Sequence, residues 1–195
     1  YVALDLETTG LNVERDAITE IGIVKFRDQE VISTWSSLVN PRRHIPYKIQ
    51  RLTGITPEKV KDAPAISALL PRLAEFVGRA PIIGHNVPFD LGFLRQQRLF
   101  VQNEGIDTFE LASILVPEAP RYSLTVLAET LGIKLGNAHR ALPDAVATKD
   151  LFLVLMERAR NMDIQVLREI NRLARKSDWL HKTMRYVNNS YLPFC

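Results

Sequence analysis

The chain has 195 residues, of which 46% are hydrophobic and 24% are charged. This composition excludes a largely disordered chain and indicates one globular domain with a substantial core. No apolar run approaches the roughly 18 residues that cross a bilayer, and the single cysteine, Cys195, excludes an internal disulfide framework and a thiolate metal site. We therefore expect a cytoplasmic protein with no membrane partner.

The formal net charge of +3 is unevenly distributed. Residues 158–185 contain eight Lys/Arg and three Asp/Glu, so this segment is basic and the residues before it are slightly acidic. Such a segment can help to hold nucleic acid, although a solvated helix face is the commoner origin. The chain starts at Tyr1, inside an apparent strand and without an initiator methionine, so we expect a fragment of a longer protein.

The first forty residues are predicted to form three strands. Residues 1–6 are apolar and lead into residues 7–10, which have the composition of a turn. Residues 17–26 and 31–39 are rich in strand formers and are separated by four polar residues, a connection of hairpin length. The pattern predicts that these three strands pair antiparallel.

The rest of the chain alternates helices with short strands. Helical spacing predicts helices at residues 66–77, 89–99, 123–131, 142–160 and 162–175, and one more that begins near residue 108. The apolar run at residues 81–84 and the segment Gly-Ile-Asp at residues 105–107 predict two further short strands. This order indicates an α/β fold of three layers around a mixed sheet. The last helix, together with residues 177–195, either caps this domain or begins a linker.

Two acidic residues end the first predicted strand. Asp5 and Glu7 are two positions apart, so their side chains leave the same face of the strand. An apolar strand rarely buries neighbouring carboxylates, because an unpaired buried charge costs at least several kcal/mol. The alternative is that the strand ends at this point and both acids are solvated in the turn.

Two more acids lie where helices are predicted to start. Asp90 and Asp144 fall in first turns, where the helix dipole favours a carboxylate, so each taken alone is explained by that position. His139 lies in a polar loop five residues before Asp144. A lone loop histidine is usually inert, but an imidazole can accept a proton from water near neutral pH.

Taken together, these five residues indicate one site. Converging carboxylates repel one another unless divalent cations neutralise them, and hard cations such as Mg²⁺ prefer oxygen ligands. We therefore interpret the chain as a metal-dependent nuclease.

Three sequence motifs carry a family resemblance. Residues 5–10 (Asp-Leu-Glu-Thr-Thr-Gly), 84–90 (Gly-His-Asn-Val-Pro-Phe-Asp) and 139–145 (His-Arg-Ala-Leu-Pro-Asp-Ala) resemble the three motifs of the DEDDh, or DnaQ-like, 3′→5′ exonucleases. The resemblance covers about residues 1–160. It implies an RNase H-like fold with a five-stranded mixed sheet flanked by helices, and a site for two divalent cations, Mg²⁺ or Mn²⁺.

The resemblance also implies residue roles. Asp5, Glu7, Asp90 and Asp144 are the expected metal ligands, with Asp90 bound directly or through water, and His139 is the expected general base. The expected reaction is in-line attack of water on the terminal phosphodiester, which releases a nucleoside 5′-monophosphate from the 3′ end.

Five residues are candidate substrate contacts by the same resemblance. Leu52 is expected to wedge against the terminal bases, Phe89 to pack against the last nucleotide, and main chain near Thr8 to hold the 3′ hydroxyl. His85 and Asn86 are further candidates. The alternatives are that Leu52 and Phe89 are core residues and that the Asn86 side chain closes a turn.

The leading hypothesis is a 3′→5′ exonuclease acting on single-stranded DNA ends. Residues 1–160 are the expected exonuclease domain, and residues 161–195 a C-terminal helix and linker that lead to another domain. Residues 162–179 are weakly similar to the corresponding junction of DinG-type nuclease-helicases, so a covalently linked helicase is one expectation.

Several other functions stay open. They are a linked polymerase with a proofreading role, RNA 3′-end trimming, a catalytically inactive nucleic-acid end-binding module, and a structural domain that regulates an attached helicase.

Overall fold

A computed structural model of the protein describes residues 1–136 and 138–174, without the side chains of residues 171 and 174. Five strands form one sheet in the order β3-β2-β1-β4-β5. The first three pair antiparallel, whereas β4 and β5 extend the sheet parallel to β1. The predicted mixed sheet is confirmed. The strands are β1 Val2–Thr8, β2 Ile18–Arg27, β3 Glu30–Leu38, β4 Ile82–Gly84 and β5 Gly105–Asp107.

Eight helices connect and follow these strands within the described residues. They are α1 Tyr47–Thr53, α2 Pro57–Val60, α3 Ile66–Val77, α4 Val87–Gln96, α5 Thr108–Leu115, α6 Leu124–Leu131, α7 Ala141–Arg160 and α8 Ile164–Ala174. The helix at residues 66–77 has the predicted bounds, and the one predicted at residues 89–99 begins and ends earlier. Helices α1 and α2 were not predicted, because at most seven residues give little periodicity.

The sheet lies between two helical layers. Its face that carries Ala3 and Val24 packs on a core cluster with residues of α5, α6 and α7, including the buried Leu155. The opposite face, which carries Leu4 and Ile21, packs against α3 and α4. The predicted three-layer α/β architecture is therefore confirmed.

Helix α7 approaches the sheet closely at its first residue. Gly22 lies on β2 opposite Asp5 of β1, and a Cβ atom at Gly22 would overlap the main chain of Ala141. Only a glycine leaves room for the helix backbone at this point. The start of α7, with Asp144 in its first turn, is thereby held beside β1.

The last described helix packs on the main core. In α8, Leu167 is buried and Ile170 is partly buried against the cluster that includes α7. Part of the basic segment is neutralised, since Arg158 pairs with Glu118 and Arg172 pairs with Glu169. Residues 175–195 lie outside the described part of the chain. None of the described helices is both long enough and apolar enough to cross a membrane.

Candidate active site

Strand β1 presents both of its acids to the layer of α7. The strand runs to Thr8 rather than ending at residue 6, so Asp5 and Glu7 are strand residues that pair with Gly22 and Glu20 of β2. Both acids are partly buried. The alternative that these carboxylates are solvated in a turn is therefore wrong.

Asp90 reaches the same part of β1 from the opposite helical layer. It is buried in the first turn of α4, and its Oδ1 accepts a hydrogen bond of 3.0 Å from the main-chain N–H of Leu6, between the two acids of the strand. The N-cap of α4 is Asn86. Asp90 therefore joins α4 to the end of β1, which a simple helix-start role does not explain.

Asp144 and His139 come from the beginning of α7 and the loop before it. The main-chain N–H of His139 donates a hydrogen bond of 2.9 Å to Asp144 Oδ2, and His139 has a left-handed backbone, with φ of 62°. One ligand atom from each of Glu7, His139 and Asp144 lies within 4.8 Å of the other two. The two sequence-distant motifs therefore meet in the fold.

Burial, followed by neighbouring acids, raises the pKa values of the four carboxylates. Burial raises the pKa of Asp5 well above its usual range, and the charges of Asp90, Asp144, Glu7 and Glu20 add to this effect. Burial, followed by neighbouring acids, raises the pKa of Glu7 to about 7. Burial also raises the pKa of Asp90 to about 8 and that of Asp144 above its ordinary value. This concentration of negative charge needs a counter-charge.

An ion pair beside the site was not predicted from the sequence. Glu20 is buried, and both of its oxygens accept hydrogen bonds from the Arg140 guanidinium, the shortest being 2.7 Å. Glu20 Oε2 also accepts the main-chain N–H of Ala141 at 3.0 Å. The pair fixes the start of α7 on β2. The available signal was an acid directly before a run of residues, 21–24, that has no polar side chain.

The turn between β4 and α4 holds two of the predicted substrate residues. His85 Nε2 donates to the Tyr122 carbonyl at 2.7 Å, and His85 Nδ1 lies 3.0 Å from Thr108 Oγ1. Burial lowers the pKa of His85. Because both ring nitrogens have protein partners, a substrate contact by His85 would use the ring edge.

Asn86 does not close the turn with its side chain. Its backbone is left-handed and its side chain makes no capping hydrogen bond. Instead, its main-chain N–H donates to Asp107 Oδ1 at 2.9 Å, so the turn is held by an acid that sequence reasoning did not select. The exposed Asn86 side chain stays a predicted substrate contact.

The other predicted substrate contacts differ in exposure. Leu52 is 49% exposed on α1, so it is not a core residue. Phe89 is partly buried and packs edge-on against Phe93, with ring centroids 5.2 Å apart. Thr8 is buried, and its hydroxyl donates to the Gly10 carbonyl at 2.7 Å. These roles stay predictions.

The donor set suits hard divalent cations. Four carboxylates supply oxygen ligands only, and no thiolate is among the described residues, which favours Mg²⁺ or Mn²⁺ over softer metals. Burial and neighbouring acids raise the pKa values of Asp5, Glu7 and Asp90, so a bound cation would stabilise the ionised forms of these acids. The residues therefore fit the cations that the motifs imply.

Comparisons with known proteins identify the family of this chain. A family model described as Exonuclease (RNase_T) matches residues 2–152. The chain is 39% identical over 176 residues to a DNA polymerase III PolC-type of Clostridium perfringens, covering 88% of this chain and 12% of that protein. It is 39% identical over 183 residues to a putative bifunctional exonuclease/endonuclease protein of Mycobacterium tuberculosis, covering 87% of this chain and 28% of that protein.

Solved structures share the fold. The structure of Exonuclease X in complex with 5′ overhanging duplex DNA superposes with a TM-score of 0.67 at 30% identity, covering 80% of this chain and 90% of that one. A complex of E. coli Exonuclease I with a dT13 oligonucleotide gives a TM-score of 0.70 at 23% identity, covering 82% and 41%. The first comparison supports the family, and the second supports the fold alone. The chain thus belongs to the exonuclease family of the DEDDh type and is a nuclease, a hydrolase of phosphodiester bonds.

Proposed function

We propose that this chain is a two-metal 3′→5′ exonuclease that releases nucleoside 5′-monophosphates from the 3′ ends of single-stranded DNA. The observation that carries this proposal is the convergence of Asp5, Glu7, Asp90 and Asp144, with His139, at the end of β1. These residues come from three separate parts of the sequence. A merely structural acidic cluster would not require a histidine at its exposed rim.

The four carboxylates would hold two divalent cations, Mg²⁺ or Mn²⁺. When bound, these cations lower the pKa of the attacking water and stabilise the charge that develops on the leaving 3′ oxygen. Asp5 and Asp144 approach from the face of α7, whereas Asp90 is held in place from α4 by the Leu6 N–H. The two helices therefore fix the ligands from both sides of the strand.

His139 accepts the proton of the attacking water. It is exposed at the rim of the site, and its imidazole lies within 4.8 Å of the carboxylate oxygens of Glu7 and Asp144. The main-chain hydrogen bond to Asp144 holds the loop in position without using the imidazole. The ring nitrogens are thus available for proton transfer.

The 3′-terminal nucleotide lies between Phe89 and Leu52. Phe89 packs against the last nucleotide, Leu52 wedges against the terminal bases, and main chain near Thr8 holds the 3′ hydroxyl. His85 contributes its ring edge and Asn86 its exposed side chain. Apolar contacts of this type do not read base identity, so the enzyme removes all four nucleotides.

The larger protein is proposed to be a polymerase or another multi-domain nuclease. The chain spans about an eighth of the PolC-type relative, and these relatives favour a proofreading role over a DinG-type nuclease-helicase. Residues 1–160 form the exonuclease domain in this proposal, and residues 161–195 lead to the linked domain. We place the protein in the cytoplasm, with DNA rather than RNA as its substrate.

The test uses a 5′-labelled single-stranded oligodeoxynucleotide with Mg²⁺ or Mn²⁺. Stepwise shortening that stops with chelator and in Asp5→Ala supports the proposal, and Glu75→Ala, an exposed acid on α3, is the matched control that keeps activity. Metal-independent binding without shortening would identify an inactive end-binding module instead. Faster shortening of the matching RNA would reassign the substrate.

A further inference from the structure

The segment between β3 and α2 carries the most concentrated exposed positive charge of the described residues. Between residues 41 and 57 there are four Lys/Arg and no Asp or Glu. We call the following exposed residues the basic face: Arg42, Arg43, Tyr47, Lys48 and Arg51. Neither the catalytic site nor the family motifs account for these residues.

Helix α1 separates its polar and buried faces. At 100° per residue, Tyr47, Lys48, Arg51 and Leu52 fall within an arc of about 140°, whereas Ile49 and Thr53 lie on the other side of the helix. Tyr47 is 72% exposed. Two cations, an aromatic ring and the candidate wedge residue therefore share one surface.

The basic face has a rigid support. Ile45 and Ile55 flank α1 and are buried in a small core cluster, to which Leu38 of β3 and Ile49 of α1 also contribute. The Gln50 side chain donates to the Ile45 carbonyl at 2.7 Å. Packing of this kind fixes the helix, so the cations project from a defined position.

This support lies close to the catalytic acids. Leu38 pairs with Glu20 across β2 and β3, and Glu20 pairs with Glu7 across β1 and β2. Neighbouring strands are about 4.8 Å apart, so Leu38 of β3, which packs under α1, is about 10 Å from Glu7 of β1. A nucleic-acid strand that ends at the carboxylates can continue onto α1.

In the described part of the chain, the cations of the basic face have no counter-charges. Within residues 1–136 and 138–174, the side chains of Arg42, Arg43, Lys48 and Arg51 form no ion pair and no hydrogen bond, and the main-chain N–H of Arg42 donates to the Asn40 side chain. By contrast, Arg140 is paired with Glu20. Unpaired cations interleaved with an aromatic ring match a phosphate backbone with unstacked bases, which is how single-stranded nucleic acid is bound without reading its sequence.

We propose that the basic face binds single-stranded DNA on the 5′ side of the scissile nucleotide. The cations contact phosphates, and Tyr47 stacks on one base beyond the position of Leu52. This inference rests on the proposed exonuclease function and adds a second substrate-binding surface to it. Its chemical consequence is that long strands bind more tightly than a single nucleotide, whereas the chemistry at the carboxylates is the same for both.

The test compares two substrates with one triple variant. Arg43→Gln/Lys48→Gln/Arg51→Gln is measured on an oligothymidylate of about 20 nucleotides, longer than the usual site of one binding module, and on the p-nitrophenyl ester of thymidine 5′-monophosphate. We expect KM for the oligonucleotide to rise about 10-fold or more with kcat unchanged, and hydrolysis of the ester to be unaffected. The slope of log Kd against log salt should fall by about 2.

The matched control removes three exposed cations elsewhere. The variant Arg27→Gln/Arg79→Gln/Arg98→Gln removes the same number of charges. These residues lie near the end of the sheet that is far from the carboxylates, so we expect hydrolysis of both substrates to be unaffected. An equal rise of KM in this control, or less than a twofold rise in the basic-face variant, overturns the proposal. Tyr47→Ala should weaken oligonucleotide binding about five-fold or more, and Tyr47→Phe should restore it.

Direct binding keeps this proposal separate from the proposed function. Fluorescence anisotropy of a labelled oligonucleotide is measured with Asp5→Ala, with and without the triple substitution. If the parent protein hydrolyses neither substrate, the exonuclease proposal fails, while a loss of affinity limited to the basic-face variant still supports a nucleic-acid surface. Equal affinity in both proteins contradicts it.

Discussion

Glu20 and Arg140, which are 120 positions apart in sequence, form a bidentate ion pair that holds the start of α7 against the sheet. The same carboxylate accepts the N–H of Ala141. Glu20 also faces Glu7 across the strand pair, so the pair lies beside the proposed metal ligands. Its geometry predicts a positioning role for both residues.

Removing the arginine should loosen this contact. In Arg140→Ala the buried Glu20 carboxylate loses three hydrogen bonds, and we expect the free energy of unfolding to fall by about 1–3 kcal/mol, with a loss of turnover because Asp144 is less well placed. Urea denaturation and turnover of the nucleotide ester check this. Arg158→Ala, which breaks an exposed ion pair with Glu118, should cost less than about 1 kcal/mol. Equal losses in the two variants would contradict a special role for Arg140.

The contact between Gly22 and Ala141 should tolerate no side chain. Gly22→Ala places a methyl group against the helix backbone, so α7 must shift, and we expect a loss of about 1–3 kcal/mol in stability together with reduced turnover. Gly92→Ala is the control, because its methyl group meets only the end of the Val13 side chain at 3.1 Å. Thermal unfolding and turnover compare the two, and unchanged behaviour of Gly22→Ala would show that α7 does not need this close approach.

Loss of the proposed base should affect turnover but not metal binding. His139→Ala keeps the main-chain hydrogen bond to Asp144, so we expect turnover to fall by roughly 10²–10⁴-fold near neutral pH, while the affinity for Mn²⁺ measured by calorimetry is largely retained. His44→Ala, an exposed histidine on the loop before α1, is the control. Turnover equal to that of the parent would remove His139 from the mechanism.

The metal-free protein should lose stability as the pH rises. Folding raises the carboxyl pKa values, to about 7 for Glu7 and about 8 for Asp90, from about 4 in an unfolded chain. Between these limits the folded state binds more protons than the unfolded state, so stability decreases from about pH 4 to pH 8. Thermal unfolding with chelator checks this trend.

Adding Mn²⁺ should reverse this loss. Cations bind the ionised carboxylates, so the increase in Tm with Mn²⁺ should be larger at pH 8 than at pH 5. In the Asp90→Asn variant, the increase in Tm with Mn²⁺ should differ less between pH 8 and pH 5. A larger Mn²⁺ effect at pH 5 would contradict the assignment of the ligands.

The sequence predicted the elements that carry periodicity and the motifs that carry chemistry. The helix at residues 66–77 and the sheet follow from apolar spacing, and the predicted acids on β1 and α7 come together with His139 in the fold. What it could not predict depends on contacts between distant residues. The role of Glu20 depends on its ion pair with Arg140, and the requirement for glycine at position 22 depends on the α7 backbone that lies against it.

Short elements were missed for a different reason. Helix α1 has seven residues, follows a proline and owes its position to burial of Ile49 among Ile45 and Ile55. Tertiary packing of this kind leaves no periodic signal in the sequence. The common surface that Tyr47, Lys48 and Arg51 share on α1 was consequently visible only in the fold.

The assignment of the four carboxylates as ligands of two cations can be tested by anomalous diffraction from crystals soaked with Mn²⁺ and thymidine 5′-monophosphate. We expect two manganese peaks about 3.5–4 Å apart, bound by Asp5, Glu7, Asp90 and Asp144, with the nucleotide phosphate against them and His139 facing it. Absence of manganese between these carboxylates, with the nucleotide bound elsewhere, would contradict it.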